Sequence, residues 1–256
     1  MIIESTYGNR NHKGFDESVK ELAEVIKEVC SRGGNVLIPA FAIERAQDLL
    51  YVFRLLYSKG ELPACRVFLD TPMGITVTEI MRRHPECYDQ ETAELIKRGE
   101  DPFYFPGLEF TREPEESKKI NFIKSHAIVI AGSGMCTGGR IKHHLKHNIW
   151  RSESAVVFVG YQAEGTLGRK LVDGEKIVKI FGETYRVKAS IHTIGGFSSH
   201  ADKETLKAWV KSAGVVDELF IVHGEEKPKR ELKKALLEDG LVRKIHLPSY
   251  GEGFEI

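Results

Sequence analysis

Four apolar runs, NVLIPAFA, CRVFLDTPMG, HAIVIAGSGM and SAVVFVGYQAEG, constrain this chain more than anything else in it. Each is closed by glycine or polar residues, and each leads into a stretch with helical periodicity, such as IERAQDLLYVFRLLYSKG or GGRIKHHLKHNI. A strand with one face in water alternates apolar and polar residues; runs without that alternation need protein on both faces. Repeated strand–helix units of this kind predict an α/β fold with a doubly wound parallel sheet. In such a sheet the ligand crevice lies beyond the carboxyl ends of the strands. The loops leaving those ends, PAFAIERAQ, DTPMG, GSGMCTGGR and GYQAEGTLGR, are therefore expected to converge on one edge.

The flanking segments differ in texture. DESVKELAEVIKEVC places Val19, Leu22, Val25, Ile26 and Val29 at helical spacing before SRGG stops the helix. Residues 84–124 are less regular and read as short helices with a loop insertion. From about residue 185 the pattern becomes YRVKASIHTI (a strand with one exposed face), ADKETLKAWVKSAG (helix), ELFIVHGE (strand), KPKRELKKALLEDG (helix) and KIHLPSYGEGFEI (a last strand), which suggests a separate layer. The opening MIIESTYGNR delivers a short apolar strand straight into a polar turn at Glu4. Either it pairs with later elements, or it is the back part of something longer.

Length and charge set outer limits. At 256 residues the chain holds one large domain or two closely joined ones. Its 37 basic and 37 acidic residues balance, so a polyanionic partner has to be held by a local patch. Cys30, Cys65, Cys87 and Cys136 are widely spaced with no CxxC pair, which fits reduced thiols in a cytoplasmic protein. No apolar run approaches the roughly 20 residues that span a bilayer, so no membrane association is expected.

Several polar residues stand where chemistry is done. GSGM before a helix offers backbone N–H groups of Ser133, Gly134 and Met135 to a phosphate, although the glycines equally suit a tight strand-to-helix turn. Arg140 and Arg169, each just beyond such a loop, either add phosphate contacts or are solvated helix charges. Asp70 ends an apolar strand, as a cap for the next helix or as a site carboxylate. FSSHAD puts His200 at a helix start, and IVHGE puts His223 at a strand end before Gly224, where a metal ligand is often held. His143 and His147 have metal-binding spacing, but KHHLKHN lacks a nearby carboxylate and reads as a basic solvated or RNA-facing helix edge. His12, His84, His126, His192 and His246 suggest no role.

Taken in order, ESTYG, LDTPMG, GSGMCTGGR, GYQAEGTLGR, FSSHAD and IVHGE resemble the β-CASP nucleases of the metallo-β-lactamase superfamily, and the resemblance spans essentially the whole chain. It implies that Asp70 matches the family's motif A acid, His200 its motif B histidine and His223 its motif C histidine, the last of which goes with RNA-directed members. It implies zinc-dependent RNA hydrolysis by two zinc ions, roughly 3.5 to 4 Å apart, that clamp the scissile phosphate. His223 would ligate one zinc. His200 would act as general acid, oriented by Glu4. The loop at Ser133, Gly134 and Met135, with Arg140 and Arg169, would hold a neighbouring phosphate, and Asp70 would organise the same edge.

The family's main metal motif, HxHxDH, lies in an N-terminal segment that ends shortly before ESTYG, and it does not occur in these 256 residues. The resulting expectation is a partial chain, inactive alone: residues 1–10 close an N-terminal metallo-β-lactamase segment, 11–185 form the β-CASP domain, and 186–256 form the C-terminal portion of a metallo-β-lactamase αββα domain. RNA and the N-terminal segment are the expected partners, with a homodimer as an option. The alternatives are a non-catalytic RNA-binding module and one half of a split nuclease.

Overall fold

The computed structural model describes residues 1–255. The chain opens with β1 (Ile2–Ile3) and α1 (Phe15–Ser31), followed by β2 (Val36–Pro39), α2 (Arg45–Ser58), β3 (Arg66–Asp70), α3 (Pro72–Arg82), α4 (Gln90–Lys97), β4 (Leu108–Phe110) and α5 (Pro114–Ile120). It continues with β5 (Ala127–Ala131), α6 (Ile141–Asn148), β6 (Ala155–Phe158), α7 (Leu167–Val172) and the hairpin β7 (Ile177–Ile180) and β8 (Glu183–Arg186). It ends with β9 (Ser190–Thr193), α8 (Lys203–Ser212), β10 (Val216–Ile221), α9 (Glu226–Glu238) and β11 (Val242–His246). Two compact units result: Gly14–Phe197, and Met1–Lys13 together with the chain from Ser198.

The larger unit is built on a six-stranded sheet of order β4-β3-β5-β2-β6-β9, parallel at every pairing. The unbroken apolar runs do what their composition requires. Val36, Ile38, Val67, Leu69, Ile128 and Ile130 face a core shared with α1 and α2 through Leu22, Ile26, Leu49 and Phe53. The alternate residues Leu37, Phe68, Val129 and Val156 face a second core with Ile120, Leu145 and Leu171. At about 1.5–3 kcal/mol per fully buried aliphatic side chain, this two-sided burial is what fixes the strands. The helices after β2 and β3 cover the first face, and those after β5 and β6 the second, so the chain parts in opposite directions from neighbouring strand ends. A crevice forms at such a parting.

Local chemistry sets the turns. Gly33 takes φ +73°, and a Cβ on Gly34 would lie 1.7 Å from the Glu153 carbonyl oxygen, so glycine is required at the stop of α1. Thr71, with Pro72 behind it, caps α3 by accepting a bond from the Gly74 amide at 3.4 Å.

Several elements escape the sequence pattern, among them the hairpin β7–β8, so that what YRVKASIHTI reads as one strand is divided between β8 and β9. The irregular 84–124 region contributes β4, a three-residue strand beside β3 that is too short to carry a period. β9, which alternation groups with the C-terminal block, pairs with β6. The final strand is earlier and shorter than KIHLPSYGEGFEI suggests, ending at His246 just before Leu247-Pro248.

The smaller unit has a three-stranded parallel sheet, β1-β10-β11, with Ile2 opposite Phe220 and Ile3 opposite Ile221. Leu206 and Val210 of α8 and Leu232 and Leu236 of α9 pack with Ile3, Leu219 and Ile221 in its core. The opening strand thus pairs with a later element, 217 residues away at the Met1–Glu218 bond.

Candidate active site

Parallel pairing of β1 and β10 places the turns that follow them side by side. The Ser5 amide donates to the His223 carbonyl at 2.9 Å, and the Ser5 hydroxyl to that of Val222 at 3.0 Å. A Cβ on Gly224 would lie 2.3 Å from Ser5 Oγ, so glycine after His223 lets the two turns close on each other. His223 itself is exposed, with φ +36°, an uncommon backbone for a residue other than glycine.

The loop before α8 brings in a second imidazole. His200 Nδ1 lies 3.2 Å from Glu4 Oε1, while Glu4 Oε2 accepts the Thr6 amide at 2.8 Å. Burial alone would raise the Glu4 carboxyl, but the bonds from Thr6 and the charge of the His200 imidazole outweigh it and hold the carboxyl below its ordinary value. The His200 and His223 rings stack with centroids 5.3 Å apart. His200 is held from behind: Asp202 caps α8 through the Thr205 amide at 2.8 Å and accepts the His12 amide at 3.1 Å. His12 Nε2 reaches the His200 carbonyl oxygen at 3.3 Å, and its ring packs edge-on to Tyr7 at 4.3 Å. His12, which has no constellation in the sequence, therefore belongs to the support of this site. With Glu4 on Nδ1, His200 has an oriented ring whose Nε2 faces no partner among the described residues, an arrangement that can give or take a proton.

In the larger unit the four strand-end loops do meet. Gln162 Nε2, after β6, donates to the Gly134 carbonyl at 2.9 Å, and the Gly168 amide donates to that of Met135 at 3.2 Å. A Cβ on Gly134 would lie 2.9 Å from the Phe41 ring, after β2, and Thr71, after β3, lies within 4 Å of the corresponding position at Gly132. Ser133 is occupied inside its loop: its amide donates to the Gly138 carbonyl and its hydroxyl oxygen accepts the Thr137 and Gly138 amides. The amides of Gly134 and Met135 donate to nothing among the described residues.

Asp70 has no exposed surface. Its Oδ1 accepts from Thr111 Oγ1 at 2.6 Å and Arg140 Nη1 at 2.7 Å, and its Oδ2 from Ser117 Oγ and His144 Nε2, both at 2.6 Å. Burial pushes this carboxyl up, and the bonds from His144, Ser117 and Thr111 more than reverse it, to about 2. The cap of α3 falls to Thr71, leaving Asp70 to tie β3 to the start of α5 and to α6. Arg140 also donates to the Thr111 and Arg112 carbonyls at 2.9 and 2.7 Å, so its fork is turned into this network. Arg169 Nε contacts both Asp173 oxygens at 2.9 Å, with Nη1 on the Gln162 carbonyl at 3.4 Å.

KHHLKHN does have a carboxylate near it, supplied by Asp70 from 74 residues away. His144, not His143 or His147, is the histidine in play, with Nδ1 2.9 Å from Asn121 Oδ1. The signal was present in the sequence: Ile141, His144, Leu145 and Asn148 recur at i, i+3, i+4 and i+7, and all four are buried.

Fold and site together define a doubly wound α/β domain inserted in sequence between two pieces of a smaller parallel β-unit that carries a carboxylate–histidine pair. Residues 46–171 match the Beta-Casp domain family, and residues 184–248 the Zn-dependent metallo-hydrolase RNA specificity domain family. The chain is 40% identical over 257 residues to Ribonuclease TTHA0252 of Thermus thermophilus, a match covering 100% of this chain and 58% of that protein. It is 36% identical over 235 residues to Transcription termination factor FttA of Methanocaldococcus jannaschii, covering 88% of this chain and 37% of the relative, and 37% identical to the FttA of Thermococcus kodakarensis, covering 88% and 36%. The chain belongs to the β-CASP family of the metallo-β-lactamase superfamily. It spans between about a third and three-fifths of the length of these relatives.

Zinc is implied by the second family. Among the described residues no group of three His, Cys, Asp or Glu side chains is placed to hold a metal ion, and no helix is long and apolar enough to cross a membrane. His223 with His200 stacked beside it does not make the three or four ligands zinc normally takes, so these residues alone do not fit the ion.

Proposed function

We propose that this chain supplies the acid–base group and the RNA-holding edge of a zinc-dependent β-CASP ribonuclease acting in RNA processing or decay. The observation that carries the reading is the Glu4–His200 pair standing against His223. Glu4 fixes the imidazole through Nδ1, which leaves Nε2 to protonate the oxygen leaving a cleaved phosphodiester. A strand-end histidine in a strained backbone, His223, is a suitable single ligand for one zinc of a pair. Further ligands are needed to complete a zinc site, since no three such side chains are gathered among the described residues.

The larger unit would position the strand. Gly134 and Met135 offer unused amides to a phosphate, with Ser133 stiffening the loop from inside. Asp70 and Arg140 act as positioning groups beneath it, and Arg169 stands ready to exchange Asp173 for phosphate. On this reading the unit from Gly14 to Phe197 is the β-CASP insertion, and the smaller unit is part of the metallo-β-lactamase domain. The names of the relatives, a ribonuclease and a termination factor, support RNA as substrate.

The test is cleavage of end-labelled single-stranded RNA with zinc present, by the chain alone and by the chain fused at Met1 to the portion of the Thermus ribonuclease that the match leaves uncovered. Activity in the fusion that Glu4→Gln and His200→Ala each reduce by 10²-fold or more supports the assignment. Full activity with His200→Ala overturns it.

A further inference from the structure

The carboxyl edge of the six-stranded sheet carries a feature the phosphate loop does not explain. Phe41 and Ile43, in the loop after β2, are 49% and 58% exposed, and Met73, in the first turn of α3, is 62% exposed. Single exposed apolar side chains are ordinary. Here three come from two loops that are pinned to one another, since Gln47 Nε2, buried, donates to the Ala42 carbonyl at 3.2 Å and to the Gly74 carbonyl at 3.0 Å. Phe41 is also placed exactly where Gly134 lacks a side chain: a Cβ there would come within 2.9 Å of both Cδ2 and Cε2 of the ring. One ring face therefore lies against the loop whose Gly134 and Met135 amides are unused, while about half of the residue, the opposite face included, is open to solvent.

A flat apolar ring beside two free backbone donors has the outline of a nucleotide: a base on the ring, its phosphate on the amides. We propose that Phe41 is a stacking platform for an unpaired RNA base whose phosphate occupies the Gly134–Met135 loop, with Ile43 and Met73 as the apolar margin of that base site. The proposal rests on the RNA reading given above and adds the chemistry of the base. Neither a phenyl face nor backbone amides discriminate among bases, so the site takes any sequence. A base inside a duplex hides its faces, so the site takes only single strands.

The test is fluorescence anisotropy of the full chain with three labelled probes of equal length: single-stranded RNA, an abasic ribose-phosphate strand, and double-stranded RNA. Phe41→Ala is expected to weaken single-stranded RNA roughly ten- to a hundredfold and leave abasic binding as it was, while Phe41→Trp restores or exceeds the wild-type value. Phe41→Leu, which keeps apolar bulk without a ring face, should behave like the alanine variant. Unaltered RNA binding in Phe41→Ala or Phe41→Leu overturns the platform, as does an equal loss for the abasic strand. Sedimentation that shows wild-type dimers broken by Phe41→Ala also overturns it, in favour of contact between copies. If the wild-type chain binds neither the abasic strand nor RNA in a salt-sensitive way, the phosphate reading fails instead, a result distinct from the loss of base dependence alone.

Discussion

Replacing Asp70 by asparagine should unfold the larger unit far more readily than its single atom of difference suggests. Asp70 is fully buried, and its two oxygens take four donors, from Thr111, Arg140, Ser117 and His144. Its carboxyl sits at about 2 when folded against 3.8 as the ordinary value, a difference of 1.8 that corresponds to about 2.4 kcal/mol of stability. Asparagine removes the charge and turns an NH₂ toward groups that also donate, and breaking a buried pair of this kind costs about 3–5 kcal/mol. The expected loss at pH 7 is about 3 kcal/mol, since the amide oxygen still satisfies part of the set. The pH dependence follows from the depressed folded value. The wild-type contribution is complete above about pH 5 and is lost as pH falls through about 2, so the gap between wild type and variant should shrink by about 1.5 kcal/mol between pH 4.5 and 2.5. Urea unfolding at pH 7, 4.5 and 2.5 measures this, with fluorescence from Trp150, just beyond α6, as the probe of this unit. A loss below 1 kcal/mol at pH 7, or a gap that stays constant from pH 4.5 to 2.5, would refute the network as described.

Gly224→Ala should destabilise the smaller unit by about 1–3 kcal/mol, because its methyl would press on Ser5 Oγ and the Ser5 carbonyl at 2.3 and 3.0 Å; thermal melts followed by Trp209 fluorescence check this. If the proposed acid–base role holds, Glu4→Gln should leave RNA affinity within twofold while lowering the cleavage rate of the fused chain, a split that single-turnover kinetics can resolve. RNA affinity should fall with salt at a slope of roughly −0.7 per phosphate held, and a flat salt titration would remove the phosphate role of the Gly134–Met135 loop.

The sheet was legible because burial on both faces leaves a mark in every strand: runs such as VLIP and AIVIA contain no polar residue to place outside. β4 left no mark, since three residues cannot show a period, and β9 was misleading because an edge strand alternates wherever it pairs. His200 and His223 stood out by their positions at a helix start and a strand end, and the resemblance carried by ESTYG, FSSHAD and IVHGE joined Glu4 to them. Their support did not stand out: His12 reaches Asp202 and His200 across 190 and 188 residues, and Thr111, Ser117 and His144 find Asp70 only through the sheet. Arg140 shows the limit most directly. Its place beyond a glycine loop suits a phosphate, yet a fully buried carboxylate and the Thr111 carbonyl share one arm of its fork and the Arg112 carbonyl takes the other.

The pairing of β1 with β10 has a consequence for how the chain assembles on a ribosome. Residues 14–197 form one uninterrupted unit, complete before Ser198 has been synthesised, whereas the smaller unit has to keep Met1–Lys13 waiting for a partner 217 residues downstream. Once the larger unit has folded, its own ends are already gathered, with the Phe15 and Phe197 rings 6.0 Å apart. The open loop left to close then shrinks from 217 residues to about thirty, which lowers the entropic barrier by roughly 1–2 kcal/mol. The histidine site thereby forms only after the chain has reached β10, and a lesion in the inserted unit should delay its appearance without touching any residue in it.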